Sequence, residues 1–159
     1  MSASPVTFVH ASAVVIGETG VLIRGVSGAG KSALALALLR AANPDRTFAR
    51  LVGDDRIGLS VTNGRVLAMP HPVIAGRIEE RGSGLLECGF EPCARLGCII
   101  DLVDLAPQEQ AETRFPEAIE ESADISGVIL PCLRLWAGIA PGEAAARVHA
   151  FLARIHARD

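Results

Sequence analysis

The sequence predicts an α/β domain: a phosphate-loop (P-loop) fold around a mixed, strand-rich sheet. Three observations carry that expectation. A loop of the form G-x-x-x-x-G-K-[ST] follows the apolar run Val21-Leu22-Ile23 and precedes an Ala/Leu-rich stretch, the strand–loop–helix context such a loop requires. Strand-like runs outnumber helical ones. Asn63-Gly64 also sits between two alternating runs, a strong hairpin signal. With 159 residues, the chain is read as one domain with a single core, residues 1–159, its first five residues frayed.

The elements read in order. Ala13–Ile16 and Val21–Arg24 are strands parted by the polar Gly17-Glu18-Thr19-Gly20, which suits a turn. Ser32–Arg40 is rich in strong helix formers and ends at Asn43-Pro44-Asp45, since proline disfavours helical geometry in the residue before it. Phe48–Val52 reads as a strand ending in two carboxylates. The stretch from His71 to Glu87 mixes short apolar pieces, glycine and charge, and suggests a site-forming segment more than a regular element. Arg95–Leu105 is a largely buried strand, and Pro107–Ser122 an acidic surface connection. Gly127–Trp136 is a further strand, interrupted by Pro131. The last stretch, from Pro141, is a helix: Val148, Phe151, Leu152 and Ile155 recur at helical spacing and form one apolar face. Glu143 near its start and Arg154 and Arg158 near its end match the helix dipole.

Composition narrows the function. Net charge is −3, aromatics make up 4% and Tyr is absent, so neither a basic face nor stacking residues argue for nucleic acid. No secretory leader is apparent, and the longest apolar run, Ala33 to Leu39, is too short to span a bilayer. A soluble, cytoplasmic protein with no membrane partner is expected. Cys88, Cys93, Cys98 and Cys132 lack the close pairing of structural zinc sites and lie among apolar or small residues. They read as free buried thiols in a reducing compartment.

The loop comprises Gly25, Val26, Ser27, Gly28, Ala29, Gly30, Lys31 and Ser32. Its glycines let backbone N–H groups curl around phosphate oxygens, and the following helix points its positive end at the anion. Lys31 can reach the outer phosphates and the Ser32 hydroxyl can hold magnesium. A loop of this kind names a nucleotide phosphate as donor, but no acceptor. Asp54 and Asp55 are the first acceptor-side candidates. One carboxylate can hold magnesium through a water while the other takes a proton from an attacking hydroxyl; a solvated turn pair fits the spacing equally well. Next, Glu79 and Arg81 frame a glycine-rich turn, a carboxylate suited to magnesium and a guanidinium suited to phosphate.

Taken in order, "VHASAVVIGETGVLIRGVSGAGKS", "RLVGDDRI" and "PVIAGRIEERGSG" resemble the catalytic domain of bacterial HPr kinase/phosphorylase. The ordered set of His, loop, Asp-Asp and Glu-x-Arg-Gly-x-Gly is far more specific than the loop alone. The resemblance implies an ATP- and Mg2+-dependent serine kinase of HPr, a small phosphocarrier protein of a phosphotransferase system, able also to remove that phosphate by phosphorolysis. It implies that Lys31 contacts the transferred phosphate and that Ser32 and Glu79 hold magnesium. One of Asp54 and Asp55 acts as base, Asp55 being favoured, and His10 is the site histidine. Arg81 is the signature arginine, and Arg114 matches an arginine that touches the reacting phosphate. A homo-oligomer is also implied. The chain departs from the family pattern at Ala11, where glycine is usual, and at Glu80 and Ser83, where the signature carries Ile and Leu. The dephosphorylation region corresponds only loosely to Pro131–Leu135, and a short form without the family's additional N-terminal domain is expected.

Two other readings come from different classes. A small-molecule kinase would share the strand–loop–helix start but normally carries an arginine-rich lid, which this sequence lacks. A non-catalytic nucleotide sensor would need only the loop and not the acidic doublet.

Overall fold

In a computed structural model of the chain, residues 2–41, 48–112 and 120–159 are described. The elements run β1 (Thr7–Val9), β2 (Ala11–Ile16), β3 (Thr19–Gly25), α1 (Lys31–Ala41), β4 (Ala49–Gly53), β5 (Ile57–Thr62), β6 (Arg65–Pro70), β7 (Arg77–Glu80), β8 (Gly84–Glu87), β9 (Ala94–Val103), α2 (Pro107–Glu112), β10 (Glu120–Ile125), β11 (Val128–Trp136) and α3 (Pro141–Arg158). Nine strands form one mixed sheet, while β7 and β8 form a separate hairpin. This is the α/β, strand-rich class expected.

The central order is β4–β2–β3–β9–β11–β10. β9 is parallel to both β3 and β11. The antiparallel set β1–β5–β6 joins through the first residues of β9, where Leu67 and Ala68 pair with Arg95 and Ala94. Alternation along the strands divides the core. Val14, Ile16, Val21 and Ile23 face the helices, where Leu34 and Leu38 of α1 and Val148 and Phe151 of α3 are buried among them. Ala13, Val15, Leu22 and Ile99 face the other way, against Ile57, Val66, Ala68 and Ile125.

The strand directions build the site. β2 runs antiparallel to β3 on one side and to β4 on the other. The start of β2 therefore lies beside the ends of β3 and β4: Ala11 is opposite Arg24 and Ala13 opposite Gly53. His10, the loop after β3 and the acidic doublet after β4 share one edge of the sheet.

Asn63 and Gly64 take φ of 51° and 70°, both positive, as a two-residue hairpin turn demands. Several expectations need correction. The first hairpin turn is two residues, Gly17-Glu18, not four, because Thr19 and Gly20 already pair with Ile16 and Val15. The stretch after His71 is regular: a 3-10 turn at Pro72–Ile74 leads into the β7–β8 hairpin, which Ile78, buried against the α1 side of the core, anchors. The acidic connection holds α2 and the first half of β10, which tolerates polar residues because it is a sheet edge with its side chains mostly exposed. Pro131 does not interrupt β11; the parallel ladder with β9 begins just past it, at Cys132. Cys98 and Cys132 are buried and free, but Cys88 is half-buried and Cys93 exposed. The helix stop expected at Asn43-Pro44-Asp45 lies outside the described residues. No described helix is long and apolar enough to cross a membrane.

Candidate functional site

The loop from Gly25 to Ser32 leaves β3 and enters α1. Gly28 and Gly30 adopt φ of 82° and 105°, a region side chains disfavour. A Cβ on Gly25 would stand 3.0 Å from the Leu102 carbonyl oxygen, so the loop's first residue is also held to glycine. The first helical bond, Leu34 N–H to the Gly30 carbonyl at 2.9 Å, starts α1 at once, directing its free N–H groups into the loop. Lys31 folds back over the loop, its Nζ donating to the carbonyls of Gly25 at 2.8 Å and Val26 at 2.9 Å. Its removal from water pushes the ammonium pKa down, opposed by the nearby charges of Asp55 and Asp54. These contacts hold the charge at the loop's mouth.

The acidic doublet divides. Asp54 is buried, 5% exposed, and accepts from every side. The Ser32 hydroxyl donates to its Oδ1 and Oδ2 at 2.8 and 2.9 Å. The Ser12 hydroxyl donates to Oδ1 at 2.5 Å, and the Glu79 backbone N–H to Oδ2 at 3.3 Å. Asp55 points elsewhere: its backbone is left-handed, φ 67°, and its carboxylate is exposed. There it meets His10, Nε2 to Oδ1 at 2.8 Å. The two sit at an open hollow of about 330 Å³ that Phe8, Val9 and Arg56 also line. The adjacent carboxylates thus have different environments: one sequestered against the loop, one presented to solvent beside a histidine.

The other sequence candidates are less engaged. Glu79 reaches Asp54 through its backbone alone, its side chain exposed on β7. Arg81 is exposed in the turn between β7 and β8. Among the described residues neither side chain has a hydrogen-bond or ion-pair partner. The hairpin itself is tethered, because Glu80 pairs with Arg40 at the end of α1, Nη1 to Oε2 at 2.5 Å. That guanidinium holds the Glu80 carboxyl below the usual carboxylate range. Arg114 lies outside the described residues.

Two features were missed from sequence. Ser12 is one; its only signal was a hydroxyl within an otherwise apolar strand. The other is the pair Arg24–Asp101, opposite each other on β3 and β9 and joined by two bonds of 2.7 and 2.8 Å. Asp101 also accepts from the Cys132 thiol at 3.4 Å. Burial first, then the Asp101 charge, pushes that thiol up to about 12. The pair braces the base of the loop one residue before Gly25.

The donor set suits a hard divalent cation: a hydroxyl and a carboxylate in contact at the mouth of an N–H-lined loop, with the Glu79 backbone beside them. The loop suits the phosphates that such a cation accompanies.

The chain is similar to known proteins in sequence and in fold. A family model described as HPr Serine kinase C-terminal domain matches residues 2–150. The HPr kinase/phosphorylase of Geobacillus thermodenitrificans is 32% identical over 148 residues, covering 88% of this chain and 45% of that protein. That of Mycoplasma mycoides is 39% identical over 84 residues, 53% of this chain and 25% of that one. The chain thus spans between a quarter and a half of the length of these relatives. A solved structure of an Hpr(Ser) kinase/phosphatase from Coxiella burnetii shares the fold, with a TM-score of 0.74 over 94% of this chain and 99% of that one, at 24% identity. A match over nearly the whole chain, on a fold that brings His10, the loop and the Asp-Asp doublet to one edge, leaves one assignment: the chain belongs to the HPr serine kinase C-terminal domain family.

Proposed function

We propose that this chain transfers the γ-phosphoryl group of ATP to a serine hydroxyl of an HPr-like phosphocarrier protein. The observation that carries the reading is the division of the doublet, with Asp54 on the Ser32 hydroxyl and Asp55 on His10 at an open hollow. In this reading Gly25–Ser32 cradles the phosphates, and Lys31 leaves the Gly25 and Val26 carbonyls for the transferred group. Ser32, Asp54 and Glu79 hold magnesium, which when bound neutralises charge on the phosphate oxygens. Asp55 takes the proton from the incoming serine hydroxyl as the new O–P bond forms and the bond to ADP breaks. His10 orients Asp55 and shares its charge. Arg81, and Arg114 as the family resemblance implies, supply positive charge to the moving phosphoryl group. Little covalent work falls to the protein, so positioning and electrostatics supply the rate.

In reverse, Asp55 returns the proton to serine while inorganic phosphate accepts the phosphoryl group. The protein acts in the cytoplasm, regulates a phosphotransferase system and works as a homo-oligomer. The test is single-turnover transfer from γ-labelled ATP to purified HPr with the chain in excess. Label on the carrier that disappears when its acceptor serine is changed to alanine supports the reading; no transfer under these conditions overturns it.

A further inference from the structure

Ser12 stands out in β2. The strand's other residues are Ala11, Ala13, Val14, Val15 and Ile16, all buried, and Ser12 is itself 0% exposed. Burying a hydroxyl is unfavourable unless a partner compensates. The alternation of β2 puts Ser12 on the same face as Val14 and Ile16, toward α1 and the loop. There its hydroxyl reaches Oδ1 of Asp54 at 2.5 Å. Asp54 has just three protein donors among the described residues, the Ser12 hydroxyl, the Ser32 hydroxyl and the Glu79 N–H. An ionised carboxylate only accepts, so all three can be satisfied together.

The three donors are not equivalent. Ser32 belongs to the loop and sits where the cation is expected, and the Glu79 bond is long at 3.3 Å. Ser12 alone is a short contact from a rigid, fully buried strand. Its bond to Oδ1 ties the carboxylate to the strand and, together with the Ser32 bonds to both oxygens, restrains how Asp54 and the Ser32 hydroxyl face.

We infer that Ser12 is a positioning residue for the metal site, orienting Asp54 through a buried hydrogen bond so that Asp54 and Ser32 present their oxygens to the divalent cation that accompanies the nucleotide. Outer partners of metal-site residues typically govern affinity by 10- to 100-fold. The inference rests on the nucleotide and metal part of the proposed function, and not on the identity of the phosphate acceptor.

The experiment measures Mn2+ binding to the full chain by electron paramagnetic resonance in the presence of a non-hydrolysable ATP analogue. Thermal unfolding is recorded alongside. Ser12→Ala removes the donor, and Ser12→Cys keeps similar size with a weak one. The expected result is a Mn2+ Kd raised about tenfold or more in Ser12→Ala and by an intermediate factor in Ser12→Cys. Binding of the metal-free nucleotide, followed with a fluorescent ADP analogue, stays within about twofold. Should the alanine variant fail to fold, the cysteine variant decides by the same comparison. A Kd within about twofold of the unmodified chain in a folded variant overturns the inference, because a purely structural serine moves the unfolding temperature and not the metal affinity. Failure of the unmodified chain to bind Mn2+ with the analogue overturns it as well. Intact Mn2+ binding with no transfer to HPr counts against the acceptor assignment alone.

Discussion

Substituting Asp55 separates backbone strain from chemistry. The residue holds φ at 67°, where a side chain costs roughly 1–2 kcal/mol and Asp or Asn offsets part of that by local hydrogen bonding. Its contact with His10 is exposed, 52% and 65% for the two side chains, so that contact adds only about 0–1 kcal/mol. Asp55→Ala loses both contributions, about 1–2 kcal/mol together, and at 2–4 °C per kcal/mol for a chain of this size its Tm falls by roughly 2–8 °C. Asp55→Asn tolerates the same backbone and unfolds near the wild-type temperature. Asp55→Gly relieves the strain but adds unfolded-chain entropy worth about 0.5–1 kcal/mol, and falls between them. Turnover follows a different order: every variant lacks the carboxylate proposed as base, and under that proposal each loses about 10²- to 10⁴-fold in transfer to HPr while still binding ATP. Differential scanning fluorimetry, fluorescent-nucleotide binding and single-turnover transfer give the three readouts. Transfer rates that track Tm, or an asparagine variant at wild-type speed, would remove Asp55 from the chemistry.

Four more tests follow from the same geometry. Lys31→Ala removes the ammonium that bonds to the Gly25 carbonyl in the free chain and that the proposal turns toward the phosphates, a charge-assisted contact worth about 1.5–3 kcal/mol, so nucleotide affinity falls about 10- to 200-fold by fluorescence titration with little change in secondary structure by circular dichroism. Arg40→Glu repels Glu80 and frees the β7–β8 hairpin; transfer slows, and the exchanged pair Arg40→Glu/Glu80→Arg recovers it, a double-mutant comparison read by steady-state kinetics. Phe151→Ala opens a cavity between α3 and the sheet and destabilises by about 3–5 kcal/mol in urea unfolding. The Cys98 and Cys132 thiols, pushed up to about 12 by burial, stay protonated in the folded chain while the unfolded chain ionises near 9; stability therefore falls as pH rises above about 9.

What the sequence disclosed was local. The glycine loop needs its residue types in a fixed order, so Gly25–Ser32 could be read directly, as could Asn63-Gly64, whose two positive φ values few other pairs adopt comfortably. Ser126-Gly127 makes the same kind of turn, with φ of 50° and 88°, but serine is a weaker signal there and the turn passed unnoticed. α3 was legible because 18 residues with one apolar stripe admit no other reading. β10 was not, since an edge strand need not alternate. The division of Asp54 from Asp55 is a matter of one left-handed residue, which no spacing rule reveals. The role of Ser12 depends on β2 lying between β3 and β4, a pairing made across the sheet and invisible along the chain.

The reversed direction of β2 also fixes where the two chain ends lie. Phe8 and Val9 line the hollow beside Asp55, and residues ahead of β1 are only a few steps of about 3.3 Å away from it. The other end is remote: His156 touches Thr19 at the opposite end of β3, whose seven residues span roughly 20 Å before the glycine loop begins. A purification tag or fusion partner joined ahead of Thr7 would crowd the hollow where the proposed acceptor docks, while the same cargo after Asp159 would leave that hollow open. Immobilising the chain by its tail is thus the orientation that keeps the hollow beside Asp55 clear.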